Sequence, residues 1–331
     1  MRRTFFCIDG HTAGNPVRLV AGGAPVLQGS SMAGRRQDFS ARYDWIRTGL
    51  MFEPRGHDMM SGGFLYPPCG DADCGILFIE TSGALPMCGH GTIGIVTFAL
   101  EHGLIAPREP GRLKIEVPAG PIEIAYEQVG AKVTSVTIRN VASYVAARGV
   151  AVDVPGFGPL SIDIAYGGNF YGIIEPQGAY VGLDYLGAAR IVELSRLIRA
   201  LLREAIEPVH PLDPTIRGVS HLLWADAPKG EGAHGRNAVF YGERAIDRSP
   251  CGTGTSARLA HLHANGRLKV GEDFVHESYI GSRFTGRVEA ETEVGGIPAI
   301  VPSITGSAVA TGHNTIWIDS DDPFHAGFSV T

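Results

Sequence analysis

The 331 residues carry 28 Lys and Arg against 34 Asp and Glu, a formal net charge of −6, and 44% of them are hydrophobic. This is enough apolar material for a large core, and the length points to two domains. The mild acidity argues against a nucleic-acid-binding protein, which needs a clustered basic surface, and no apolar run reaches the ~18–20 residues that span a bilayer.

The chain opens on MRRTFFCIDG, with too few apolar residues before Asp9 for the roughly 7–15-residue core of a secretory leader. A cytoplasmic location is expected. TFFCIDG reads as a buried strand in which Cys7 is a small core hydrophobe. DWIRTGLM (44–51) reads as a short helix. GILFIETS (75–82), RLKIEVPAG (112–120), PIEIAYEQ (121–128) and KVTSVTIRNV (132–141) alternate or are rich in β-branched and aromatic residues, which predicts strands. Residues 188–206 predict a long helix, with Ile191, Leu194, Leu197, Ile198, Leu201 and Leu202 at 3–4 spacing. WADAPKGEGAHGR (224–236) reads as a turn-rich surface loop, followed by strands at NAVFYG (237–242) and NTIWID (314–319). Strands punctuated by glycine and proline, with a few helices among them, make an α+β pattern. The five cysteines are an odd number and predict free thiols. Cys69 and Cys74 lack a second cysteine pair, so no metal site is expected.

The most informative feature is a repeat. MCGHGTIGIVTFALEHG (87–103) and SPCGTGTSARLAHLHANG (249–266) align on Cys88 and Cys251, 163 residues apart. Gly89 falls on Gly252, Gly91 on Gly254, Thr92 on Thr255 and Gly103 on Gly266. Each segment reads as a cysteine, a glycine turn, a helix and a C′ glycine that ends it. A lone cysteine in such a place is most simply a buried thiol; the matched pair points to chemistry. A helix N-terminus has unpaired N–H groups and the positive end of the macrodipole. The expectation is a lowered thiol pKa and a site for a small carboxylate. Two such thiols suit removal of a proton α to a carboxylate from one face and its return from the other, with the enediolate held by preorganised dipoles. A non-catalytic binding protein would keep the glycines without needing both thiols. A thiol redox protein would need a disulfide during turnover, and C-x-x-C is absent.

MCGHGTIG (87–94) and DRSPCGTGTSA (247–257) resemble the two catalytic signatures of the proline racemase family. The similarity extends to DGHTAGNPVRLV (9–20), FEPRGHDMMSGGFLYPP (52–68), AYGGNFYGI (165–173) and PSITGSA (302–308), and so covers essentially the whole chain. The resemblance implies two pseudo-symmetric α/β halves of diaminopimelate epimerase-like type, each a curled sheet around a central helix, with the active site in the cleft between them. The first half is expected at 1–130 plus 308–331 and carries Cys88; the second, 131–307, carries Cys251. No metal, pyridoxal phosphate or flavin is implied, and the partner is a small-molecule substrate, with a homodimer as the candidate assembly.

By the same resemblance, Cys88 and Cys251 are the two general acid/bases. Gly89, His90, Gly252 and Thr253 hold the substrate carboxylate through backbone N–H groups. Asp247 holds the ring nitrogen, its alternative being a plain turn residue. His221 faces the hydroxyl-bearing side of the ring, its alternative being a core histidine satisfied locally. Met60 and Tyr241 are candidates for the apolar wall, His57 reads as structural, and His261 and His263 read as dipole-favoured or surface residues. Family members that dehydrate trans-3-hydroxyproline replace the second cysteine with a hydroxyl residue, so two cysteines point away from that activity. The longer matches most resemble the 4-hydroxyproline 2-epimerases, which implies conversion of trans-4-hydroxy-L-proline to cis-4-hydroxy-D-proline; proline racemisation is the alternative. Asn15 stands where many members have an acidic residue.

Overall fold

Five helices stand among twenty strands in the computed structural model, which describes residues 2–330: α1 Met32–Arg42, α2 Asp44–Met51, α3 Gly89–Glu101, α4 Leu183–Ala205 and α5 Gly252–Ala264. The fold is α+β. Packing divides the chain into two units, Met1–Ile138 with Gly306–Thr331, and Arg139–Thr305.

In the first unit, strand Arg2–Thr12 pairs antiparallel with both Asn15–Gly22 and Ala308–Asp319. The ladder continues in parallel to Ser61–Tyr66 and then antiparallel to Cys74–Glu80. Helix α3 packs on Arg2–Thr12, Asn15–Gly22, Ser61–Tyr66 and Ala308–Asp319. Its residues 89–99 are all buried, as expected of a helix apolar on every side. Cys7, Met60, Phe64, Leu77 and Ile316 share a core with α1 and α2. Helix α1 escapes sequence periodicity because only Met32 and Phe39 are buried; its one legible signal is the N-cap Ser31, whose hydroxyl accepts from Gly34 N–H.

In the second unit, Ser143–Val154, Gly158–Tyr166 and Phe170–Ile174 form an antiparallel run. Phe170–Ile174 then pairs in parallel with Val219–Asp226, and that strand pairs antiparallel with Gly235–Tyr241. The ladder passes through Asp273–Glu277, Arg283–Val294 and Ile297–Gly306, and Ile297–Gly306 returns to Ser143–Val154. Helix α5 packs on strands Ser143–Val154, Gly158–Tyr166, Phe170–Ile174 and Arg283–Val294. Helix α4 contains a break at Gly187 (φ 69°), and it buries Ile191, Leu194, Ile198 and Leu202 but leaves Leu197 exposed.

Two expectations need correction here. Residues 224–236 are not one surface loop. Trp224 is fully buried at the end of a strand, its indole N–H donating to Ser195 Oγ at 2.8 Å, and Arg236 lies in the next strand. The turn residues occupy only the middle of the segment. His261 is not a surface or dipole-favoured residue. It is buried, its Nδ1 accepts from Arg258 (2.9 Å), and its Nε2 lies 2.9 Å from Asp163. Burial, then Arg258, holds its pKa below the ordinary histidine value. Its neighbour His263 is half-buried and bonds Leu268 O and Glu291.

Among the described residues, no helix is long and apolar enough to cross a membrane, and no three His, Cys, Asp or Glu side chains converge as metal ligands. All five cysteines are free thiols.

Candidate active site

Cys88 is the N-cap of α3 and Cys251 is the N-cap of α5, and both helices have 13 residues. Each helix ends at a left-handed glycine, Gly103 (φ 65°) and Gly266 (φ 68°), as the repeat predicts. Both thiols are buried. Gly89 and His90, and likewise Gly252 and Thr253, lie in the first helical turn, where backbone N–H groups lack an intrahelical acceptor.

Around Cys88, Ser61 Oγ lies 3.7 Å from the sulfur, and the His90 ring nitrogens lie 3.7 and 3.9 Å away. His90 is positioned twice from the first hairpin. Thr12 Oγ1 donates to its carbonyl at 2.8 Å, and Asn15 Nδ2 lies 3.0 Å from its Nε2. Asn15, the departure from the family pattern, is fully buried. Met60 belongs to the first unit's core.

Cys251 has a different setting. Its φ of 64° and ψ of 113° put a β-carbon-bearing residue in a conformation that costs energy and persists only when neighbours over-determine it. Those neighbours are visible. Cys251 N–H donates to Ser249 Oγ at 3.1 Å, Thr255 N–H donates to Cys251 O at 2.7 Å, and Asn237 Nδ2 donates to Pro250 O at 2.7 Å. Ser249 in turn donates to Asp247 Oδ1 from both its backbone N–H and its hydroxyl, each at 2.8 Å. Asp247 is therefore buried and also closes the turn that shapes the cysteine. Tyr171 reaches Cys251 Sγ at 3.3 Å and Thr253 Oγ1 at 2.6 Å through its hydroxyl. The His221 ring lies against Tyr171 (4.8 Å between centroids) and faces Tyr241 (6.4 Å), with Ser220 Oγ 2.7 Å from its Nδ1. Within the second unit, Cys251, Asp247, His221, Tyr241, Gly252 and Thr253 thus lie together; within the first, Cys88, Gly89 and His90 do.

The expected drop in thiol pKa does not hold for Cys251. Burial pushes it up, and the Asp247 carboxylate adds to the rise; the Tyr171 hydroxyl, Gly254 N–H and Thr253 hydroxyl pull partly back. Complete burial can shift a thiol by several units, whereas a helix terminus contributes roughly 0.3–1 kcal/mol, under one unit. Burial wins. The glycines also have a second purpose. A Cβ at Gly91 would lie 2.8 Å from Cys88 Sγ, and one at Gly254 would lie 3.1 Å from Cys251 Sγ and 3.2 Å from the Tyr171 ring. They make room for the sulfurs themselves. Tyr171 and Ser249 carry no role in the sequence reading, although both lie inside matched motifs; a tyrosine 80 residues from its cysteine gives no local signal.

A family model described as proline racemase matches residues 7–329. The 4-hydroxyproline 2-epimerase of Shewanella loihica is 59% identical over 331 residues, covering 100% of this chain and 99% of that protein. The 4-hydroxyproline 2-epimerase of Ancylobacter novellus is 60% identical over 330 residues, 99% of each chain. A solved hydroxyproline epimerase from Agrobacterium vitis, with bound trans-4-hydroxy-L-proline, superposes with a TM-score of 0.92 at 32% identity, covering 100% of this chain and 97% of that one. With a family model spanning nearly every residue and relatives at this identity over full length, the chain belongs to the proline racemase family.

Proposed function

We propose that this protein is a 4-hydroxyproline 2-epimerase that interconverts trans-4-hydroxy-L-proline and cis-4-hydroxy-D-proline without a metal or organic cofactor. The observation that carries the reading is the pair of buried N-cap cysteines, Cys88 and Cys251, in a chain about 60% identical to 4-hydroxyproline 2-epimerases along its full length. On this reading the chain is two pseudo-symmetric halves, 1–130 plus 308–331 and 131–307, each a curled sheet around its helix, that close on one substrate. One thiolate takes the α-proton. The opposite thiol delivers a proton to the other face, so the configuration at C2 inverts and C4 is untouched. First-turn N–H groups of Gly89, His90, Gly252 and Thr253 receive the carboxylate and the charge that develops on it. Asp247 receives the ring ammonium, which needs an anionic partner when buried. The direct test is incubation with trans-4-hydroxy-L-proline, L-proline and trans-3-hydroxy-L-proline, followed by chiral chromatography. Conversion of the first to its D-epimer supports the reading; a product only from L-proline, or a dehydrated product from the third, rejects it.

His221 is assigned to the substrate hydroxyl, and its packing supports this: a buried imidazole with Ser220 Oγ beside one nitrogen, tilted against Tyr171 and stacked on Tyr241. A site that hydrogen-bonds a hydroxyl rejects an analogue lacking it by up to about 10⁴. His221→Phe is expected to lower kcat/KM on trans-4-hydroxy-L-proline by roughly 10–100-fold and on L-proline by much less. Equal losses on both substrates would show that His221 only shapes the pocket.

Gly91→Ala tests the space reserved for the first sulfur. The new Cβ would overlap Cys88 Sγ, and the cheapest relief is rotation of the thiol. An ångström-scale displacement of a reacting atom can cost about 10²-fold in rate. The expected result is a loss of that order in kcat with a nearly unchanged thermal midpoint. Wild-type kcat would show that the sulfur position is not critical.

A further inference from the structure

We propose that Tyr171 is a positioning residue for Cys251, its phenol holding the sulfur and donating to it when Cys251 becomes a thiolate. The consequence for turnover rests on the epimerase reading; the effect on the thiol does not. Four polar groups stand in series. Asn169 Nδ2 donates to Thr253 Oγ1 at 3.5 Å, Thr253 Oγ1 lies 2.6 Å from Tyr171 OH, and Tyr171 OH lies 3.3 Å from Cys251 Sγ. A hydroxyl has one proton and can accept as well as donate. Ordered from Asn169 to Thr253 to Tyr171 to sulfur, each group accepts from the one before and donates to the one after. Such a chain polarises toward its end. A thiolate benefits strongly from the last donor, whereas a neutral thiol is a weak acceptor and benefits little.

The phenol cannot swing away. Tyr171 is fully buried on a strand paired on both sides, its ring lies against His221, and it shares an apolar cluster with Cys251, Ile173, Leu223 and Val239. Gly254 completes the fit, since a side chain there would touch both the Cys251 sulfur and the Tyr171 ring.

The groups around Cys251 decide the sign of the effect. Its own loop supplies the Asp247 carboxylate. Strand Phe170–Ile174 supplies Tyr171, Val219–Asp226 supplies His221 behind it, and Gly235–Tyr241 supplies Tyr241 against His221. Strand Asp273–Glu277 supplies His276, bonded to Thr255 and Asn237; burial lowers its pKa to about 3, so it stays neutral at working pH. Burial and Asp247 oppose the thiolate, and the Tyr171 hydroxyl leads the groups that favour it.

The test alkylates full-length wild type and Tyr171→Phe with iodoacetamide across pH. Mass spectrometry reads the rate at the Cys251 peptide. The expected result is a Cys251 profile moved to higher pH, with alkylation roughly three- to tenfold slower at a given pH on its rising limb. The limb of the kcat/KM profile on trans-4-hydroxy-L-proline that Cys251 governs, the acidic one if it is the base in that direction and the alkaline one if it is the acid, moves up with it. A Cys251 profile that stays or falls to lower pH overturns the proposal. Thr253→Val supplies a second measurement should Tyr171→Phe not fold. It removes the hydroxyl that feeds the phenol and that itself lies 3.9 Å from the sulfur; an upward shift at Cys251 is expected, and no shift overturns the proposal. Alkylation needs no turnover. A wild-type protein inactive on 4-hydroxyproline would therefore reject the epimerase reading, while the Cys251 profile would still decide the role of Tyr171.

Discussion

Cys88→Ser and Cys251→Ser are each expected to lower kcat/KM on trans-4-hydroxy-L-proline by about 10³-fold or more. General acid–base groups contribute roughly 10²–10⁴-fold, and here one residue acts as base in one direction and as acid in the other. A serine hydroxyl in the same buried place is both a poorer base at neutral pH and a poorer acid. The change replaces sulfur with a smaller oxygen at a helix N-cap where no side-chain capping bond exists, so the fold should survive. The double mutant should be scarcely worse than either single, because the two thiols act as a unit and such losses do not add. In D2O, wild-type product should carry deuterium at Cα, since the returning proton comes from the opposite thiol. A single mutant within tenfold of wild type, or product without deuterium, would reject the two-thiol mechanism.

Asp247→Asn is expected to give the other large loss, about 10²–10³-fold in kcat/KM, as removing one partner of a buried charge pair typically costs 2–5 kcal/mol. The amide keeps the shape and an acceptor oxygen, so the two donations from Ser249 and the turn before Cys251 can persist. The carboxylate is one of the two largest causes of the raised Cys251 pKa. Its neutralisation therefore works in the direction opposite to Tyr171→Phe. Cys251 should ionise at lower pH and alkylate faster at a given pH, while substrate binding weakens. Loss of activity with an unchanged or upward-shifted Cys251 profile would show that Asp247 acts through the turn alone. Unfolding, which would also expose the thiol, is separated by a thermal melt.

The repeat was readable without a structure because each copy is local. A cysteine, two glycines, a helix and a terminal left-handed glycine follow one another within 16 residues, and capping rules act over that range. Strands such as Lys132–Arg139 and helix α2 were legible for the same reason. Residues 224–236 failed because glycine, proline and charge dominate the middle of the segment, while the tertiary core claims both ends, including Trp224. Helix α1 failed because two buried residues in 11 give no period.

The sequence by itself determined that two thiols sit at two matched helix starts, and the long motifs around them assigned the family. Only the tertiary structure decided what those thiols experience. Tyr171, 80 residues from Cys251, and the strands that bury the sulfur meet it through sheet pairing. Helix starts obey short-range rules, but desolvation is set by every atom that excludes water from the sulfur, and those atoms come from distant parts of the chain. That is why the sequence located Cys251 correctly and predicted the direction of its pKa shift wrongly.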